Sequence, residues 1–227
     1  MKEKGIIKFL VEQQNRLSCI IRYNNTPKVN GESVAEHSYF VAMMTMLVGD
    51  YLTAEHGLVI DKLKLMKMSL LHDVEEIISG DIIKVLKTAG FKTELEKMNE
   101  RSMQYLTGIL ESKQGQQYYE LWHETKAKAT IESQLVDFAD WLAVIVYSIR
   151  EAHLGNKYFE EILAYGIRSF QQFRMSIPAA AKLVDEITLY TKTYLSRDPM
   201  LVDDINKAVR MSPEQNRFDE EAAGEKV

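Results

Sequence analysis

The chain contains a single cysteine, Cys19, among 227 residues. Neither an intrachain disulfide nor a cysteine zinc cluster can be built from it, and a reducing compartment is the expectation. Only four prolines and eleven glycines are present, against abundant Leu, Ile, Met, Glu and Lys. That balance favours helices joined by short turns over sheet, so the fold class read here is all-α. No apolar run approaches the roughly 20 residues of a membrane span. The opening Met1-Lys2-Glu3-Lys4-Gly5 leads into an amphipathic segment rather than a signal peptide's apolar core. A soluble cytoplasmic protein with no membrane contact is expected. Positive charge is also in deficit, with a formal net charge of −5, which removes the basic footprint that a nucleic-acid duplex would need. An anionic small substrate would therefore depend on local cations. Internal repeats and glycine-rich phosphate loops are absent as well.

Hydrophobic residues make up 46% of the chain, enough for a substantial core, and one domain over residues 1–211 is expected. From Ser212 onward Pro, Glu, Asp, Gly and Ala dominate, so residues 212–227 read as a disordered tail. Helical periodicity predicts a first helix from Ile6 to Ile21, ending at the loop Arg22-Tyr23-Asn24-Asn25-Thr26-Pro27. Ser33 followed by Glu36 is a capping box opening a long helix, in which Met43, Met44 and Met46 read as core filler. Asp61 caps a helix reaching about Ile78, and Gly80 ends it. Further helices are predicted over 93–111, 114–126, 130–147, 156–174 and 179–195, with Pro178 at a helix start.

Three stretches carry chemistry. Leu70-Leu71-His72-Asp73-Val74-Glu75-Glu76-Ile77-Ile78-Ser79-Gly80-Asp81 places four acids and a histidine at an apolar helix end. Adjacent helical positions can converge on one cation, and Glu76 would lie one turn beyond His72 on the same face. In Ser33-Val34-Ala35-Glu36-His37-Ser38 the histidine falls in a first helical turn, where the dipole disfavours an imidazolium and suits a neutral nitrogen ligand. The helix from Thr130 to Tyr147 is apolar around most of its circumference yet carries Asp137 and Asp140. A carboxylate there needs a cation, a salt bridge or a cap, and residue type leaves these open. Arg22 could clamp a phosphate, and Lys84 and Lys87 are further local cations. His56, His123 and His153 lack comparable acidic company.

Together these stretches resemble the HD-domain metal-dependent phosphohydrolases. Arg22-Tyr23, the Ser33–Ser38 run, His72-Asp73-Val74-Glu75-Glu76 ending in Gly80-Asp81, and Ala139-Asp140-Trp141-Leu142 are similar to the bacterial 5′-deoxynucleotidase branch. The resemblance implies a compact α-helical HD bundle, often a homodimer, acting on a small nucleotide. It implies one divalent ion, with Co, Mn, Zn, Mg and Fe not distinguished, held by His37, His72, Asp73 and Asp140, and Asp137 in reserve. It further implies Glu76 as the acid that handles the attacking water, Asp81 near the sugar and scissile phosphate, and Arg22, Lys84 and Lys87 around the phosphate. Tyr23 and Glu124 are implied at the sugar pocket. Tyr23 departs from the family's tryptophan, which points to looser selection against ribose. Removal of tripolyphosphate from deoxynucleoside triphosphates is the alternative reaction, and a non-catalytic helical interaction module the remote one.

Overall fold

The computed structural model describes residues 4–82, 90–195 and 199–210. These form helices, with one isolated antiparallel bridge between Ile21 and Ser33 as the sole extended pairing among them. In chain order they are α1 (Ile6–Glu12), a 3₁₀ turn (Gln14–Cys19), α2 (Val34–His56), α3 (Lys62–Leu71), α4 (Glu76–Ser79), α5 (Lys92–Thr107) and α6 (Ser112–Ala127). There follow α7 (Ile131–His153), α8 (Lys157–Phe170), α9 (Phe173–Ser176), a 3₁₀ turn (Pro178–Ala180), α10 (Ala181–Leu195) and α11 (Pro199–Arg210). Lys84, Lys87 and the expected tail 212–227 lie outside the described residues. No helix among the described residues is long and apolar enough to cross a membrane.

The all-α expectation holds, and so do both predicted starts. Ser33 and Glu36 form the full capping box of α2, and Asp61 accepts the Lys64 N–H at 2.9 Å. α7 opens with a second box, Thr130 and Ser133 exchanging side-chain and backbone hydrogen bonds. Three predicted helices are broken. The first splits into α1 and the 3₁₀ turn, and that over 156–174 splits into α8 and α9. The third break has the most consequence: α3 stops at Leu71, and residues 72–75 form a turn before α4. Glu76 therefore shares no helix face with His72.

α7 runs through the middle, packed by α2, α3, α6 and α8. Its Leu135, Phe138, Ala139 and Ile145 are buried against Val41, Leu52, Leu65, Met68, Leu163 and Phe170. Phe138, Phe170 and Phe173 interlock, with ring centroids 4.6 to 5.2 Å apart. Each such fully buried side chain contributes about 1.5–3 kcal/mol relative to exposure. Of the three methionines expected as filler, only Met44 packs on this core, whereas Met43 and Met46 are exposed. A smaller cluster of Leu17, Val34, Ile77 and Leu106 ties the first 3₁₀ turn, the start of α2, α4 and α5 together. Val34 precedes His37 by one turn and Ile77 follows Glu76, so this cluster sets the distance between the site's two halves.

Gly115 shows why α5 and α6 sit so close, since a Cβ there would run into the Thr107 carbonyl.

Candidate metal centre

Four side chains from three elements meet beside α7. His37, in the first turns of α2, is fully buried, and its Nε2 lies 3.4 Å from His72 Nε2. Asp140 on α7 brings Oδ1 to 3.0 Å from His37 Nε2. Asp73, in the turn after α3, brings Oδ2 to 3.1 Å from His72 Nε2 and 3.6 Å from His37 Nε2. Ligand atoms of His37, His72 and Asp140 all lie within 4.8 Å of one another.

The donor chemistry fits a divalent transition ion, which accepts imidazole nitrogen together with carboxylate oxygen. His72 Nδ1 donates to the Ser69 carbonyl at 2.7 Å, which directs Nε2 into the site. His37 Nδ1 lies 2.6 Å from Arg22 Nη1. A guanidinium has only donors, so Nδ1 accepts and the imidazole proton sits on Nε2, facing Asp140. A divalent ion would take that proton's place. The electrostatics agree with the donor set. Burial, and then the Arg22 charge, push the His37 pKa down, keeping it neutral as its helix position suggested. Burial alone would lower His72 too, but the Asp73 carboxylate outweighs it and lifts His72 to about 9. Burial opposes ionisation of Asp73 and Asp140 as well, yet the histidines hold both below the usual carboxylate range. Two half-buried carboxylates raising a buried imidazole that far make a place that demands positive charge.

Behind this centre lies a network that residue spacing did not indicate. Lys126, from the last turn of α6, sets Nζ 2.6 Å from the His72 carbonyl and 2.7 Å from Glu75 Oε1. Its distance to Asp73 Oδ1 is 3.7 Å. Glu75 is buried, and its Oε2 accepts from Trp122 Nε1 at 2.7 Å. Burial would lower the Lys126 pKa, but Glu75 and Asp73 raise it well above its ordinary value. In sequence Glu75 and Glu76 are indistinguishable neighbours, and Lys126 belongs to a lysine-rich helix end.

The loop before α2 builds the other wall. Arg22 is largely buried, not a surface arginine, and Nη1 also donates to Glu32 Oε2 at 2.9 Å. The remaining N–H groups of its fork are uncommitted among the described residues. Tyr23 has φ 53°, a left-handed backbone that costs a non-glycine residue about 1–3 kcal/mol. Three contacts enforce it: Tyr23 N–H donates to Asp81 Oδ2 at 2.8 Å, and its carbonyl accepts from Thr26 N–H and Lys28 Nζ, both at 2.9 Å. The Tyr23 ring stacks on Tyr147 at 5.4 Å and meets the Phe159 ring edge-on at 5.2 Å. Its buried hydroxyl has no hydrogen-bond partner among the described residues. Glu151 on α7 anchors the loop, accepting Val29 N–H at 2.7 Å and Asn30 N–H at 2.9 Å.

Not every expected site residue converges. Glu76 opens α4 half-buried, across the turn from His72. The Glu124 carboxylate is committed elsewhere, 2.5 Å from Lys64 Nζ and 2.8 Å from Thr130 Oγ1. Asp137, the reserve ligand, pairs with Lys128 Nζ at 2.6 Å. The salt bridge thus accounts for one misplaced acid of α7 and the histidine cluster for the other. Glu151 escapes the same test because the helix runs to His153, past Tyr147, the end that the sequence predicts.

Known proteins share this arrangement of chain. Two relatives named 5′-deoxynucleotidase HDDC2 are similar to it. One, from Dictyostelium discoideum, is 34% identical over 131 residues, covering 56% of this chain and 68% of that one. The other, from Danio rerio, is 29% identical over 126 residues, covering 56% of this chain and 58% of that one. The match thus spans roughly three-fifths to two-thirds of these relatives' length. A crystal structure of an HD-domain phosphohydrolase from Listeria innocua superposes with a TM-score of 0.77 at 22% identity, over 88% of this chain and 98% of that one, a likeness of fold. The HD domain family model matches residues 15–173, a stretch holding all four converging side chains, and the chain belongs to the HD-domain family.

Proposed function

We propose that the chain is a metal-dependent phosphohydrolase that removes the 5′-phosphate of deoxynucleoside 5′-monophosphates. The observation that carries this reading is the convergence of His37, His72 and Asp140, whose ligand atoms all lie within 4.8 Å of one another, with Asp73 Oδ2 3.1 and 3.6 Å from the two imidazole Nε2 atoms. The names of the relatives support the substrate class. In this reading His37, His72, Asp73 and Asp140 hold one divalent ion, which when bound would withdraw charge from a phosphate oxygen and acidify a water.

Glu76 takes a proton from the attacking water as its oxygen bonds to phosphorus and the bond to the 5′-oxygen breaks. Arg22 uses the free part of its fork to neutralise the phosphoryl oxygens, with Lys84 and Lys87 as further charge. Asp81 Oδ2 is committed to Tyr23 N–H, so Oδ1 is left to serve the departing oxygen or a sugar hydroxyl. Tyr23 lines the sugar side, and Glu124 is dropped from that pocket because Lys64 holds it. One domain over 1–211, a cytoplasmic location and a homodimer complete the reading. The exposed apolar side chains Phe40, Leu47, Leu63 and Leu70 on α2 and α3 support the dimer.

The test is a panel of ribo and deoxy mono-, di- and triphosphates, assayed after metal removal and re-addition of single divalent ions. Orthophosphate released from deoxynucleoside monophosphates, with full dependence on metal, is expected. Tripolyphosphate from triphosphates, or undiminished activity in metal-free protein, would overturn it.

A further inference from the structure

The turn that carries His72 and Asp73 has no helix to hold it. α3 ends at Leu71, and the final carbonyls of a helix lack intrahelical donors. A carboxylate's terminal torsion is also soft. Yet Asp73 presents Oδ2 to both histidines while Oδ1 points away. We propose that Lys126, held in place by Glu75 and Trp122, is the positioning residue of the His72–Asp73 pair, fixing the turn through the His72 carbonyl and the carboxylate plane through Asp73 Oδ1. The assignment rests on reading that pair as metal ligands.

The geometry divides the labour. Lys126 Nζ makes its short contacts to the His72 carbonyl, 2.6 Å, and Glu75 Oε1, 2.7 Å, and stays 3.7 Å from Asp73 Oδ1. Glu75 thus takes most of the ammonium's charge, and Asp73 keeps its own for an ion. Trp122 Nε1–H occupies the other Glu75 oxygen at 2.7 Å, which stops that carboxylate from turning. A cation on the carbonyl of His72, the C-cap of α3, also suits the negative end of the helix dipole. Lys126 reaches the site through the two ligands and needs no contact with substrate.

The experiment is a Co²⁺ titration of the metal-stripped full chain, followed by visible absorption, with thermal unfolding of each metal-free variant alongside. Lys126→Met should weaken Co²⁺ by roughly 10- to 100-fold, the usual effect of losing an outer-shell partner. Lys126→Gln, which keeps a donor for the carbonyl and folds more readily, should fall between. Glu75→Gln should weaken binding similarly, and the double variant should be no worse than the worse single one. A wild-type Co²⁺ affinity in folded Lys126→Gln and Lys126→Met, whatever their melting temperatures, would overturn the proposal. So would a raised KM with unchanged metal affinity, which would place Lys126 on the substrate. His72→Ala separates the two layers, because wild-type Co²⁺ binding in that variant would remove the ligand reading itself.

Discussion

The two walls around the histidine and aspartate cluster solve opposite problems. On the His72–Asp73 side the buried polar groups are tied to one another: Ser69, His72, Lys126, Glu75 and Trp122 form a chain of hydrogen bonds. On the Tyr23 side the neighbours are aromatic rings, the backbone is held at φ 53°, and a buried hydroxyl goes unpaired among the described residues. A satisfied polar network fixes geometry. Strain and an unpaired hydroxyl cost stability and persist where the surroundings over-determine them, a pattern that gathers at ligand-binding positions. The first wall is built to hold its own residues still, and the second to meet something else.

The largest expected effect tests the catalytic edge of the first wall. Glu76 opens α4 across the turn from His72 and is not one of the four converging donors. Glu76→Ala should lower kcat by about 10² to 10⁴, the range for a positioned acid–base group, while Co²⁺ affinity stays at the wild-type value. Steady-state kinetics with a parallel metal titration checks this. A loss of Co²⁺ affinity would make Glu76 a ligand and move it into the fixed network.

How far the residues alone disclosed this site depends on what kind of contact each makes. His72, Asp73 and the acids of α7 stood out because acids and histidines on apolar helices are out of place and need a partner. The choice of Asp140 over Asp137, and the inclusion of His37, came only from the resemblance to the HD-domain family. The α2 and α7 starts were legible because capping is local. The break after Leu71 was not, since the apolar period runs on through Val74 and Ile77, and the contacts made beyond the break, such as Ile77 on Leu17, Val34 and Leu106, are with residues distant in sequence. Lys126 and Tyr147 were missed for a related reason. A lysine at a helix end and a tyrosine on a buried helix are unremarkable until residues far along the chain, His72 and Tyr23, come to rest beside them.

A smaller effect is expected from the second wall. Tyr23→Phe removes only the unpaired hydroxyl. If that hydroxyl meets the nucleotide, one hydrogen bond worth about 0.5–1.5 kcal/mol is lost, and kcat/KM for a deoxynucleoside monophosphate should fall roughly threefold to tenfold. Thermal stability should hold or rise, because a buried polar atom without a partner is removed. Unchanged kcat/KM would leave the wall as packing alone and erase the contrast with the first.

The last effect, on stability rather than on turnover, concerns what keeps that wall in register. Glu151 is buried and accepts Val29 N–H and Asn30 N–H, while Asn156 Nδ2 donates to it at 2.9 Å. Burial alone would raise its pKa, but these donors outweigh it and hold the carboxyl below the usual range. A group whose folded pKa is depressed adds stability above its unfolded pKa, near 4.3, and loses it as pH falls through the folded value. Glu151→Gln turns one acceptor oxygen into a donor facing N–H groups, at a cost of about 1–3 kcal/mol. For a chain of this size each kcal/mol lowers Tm by roughly 2–4 °C. The gap between wild type and variant should therefore be full at neutral pH and narrow as pH drops below about 4. Melting curves from pH 7 to pH 3 measure it, with Asn156→Ala as a second route to the same loop. A gap that stays constant across that range would mean that the Glu151 charge does not hold the loop, and that the Tyr147 hydroxyl, which donates to the Asn30 carbonyl, is the anchor instead.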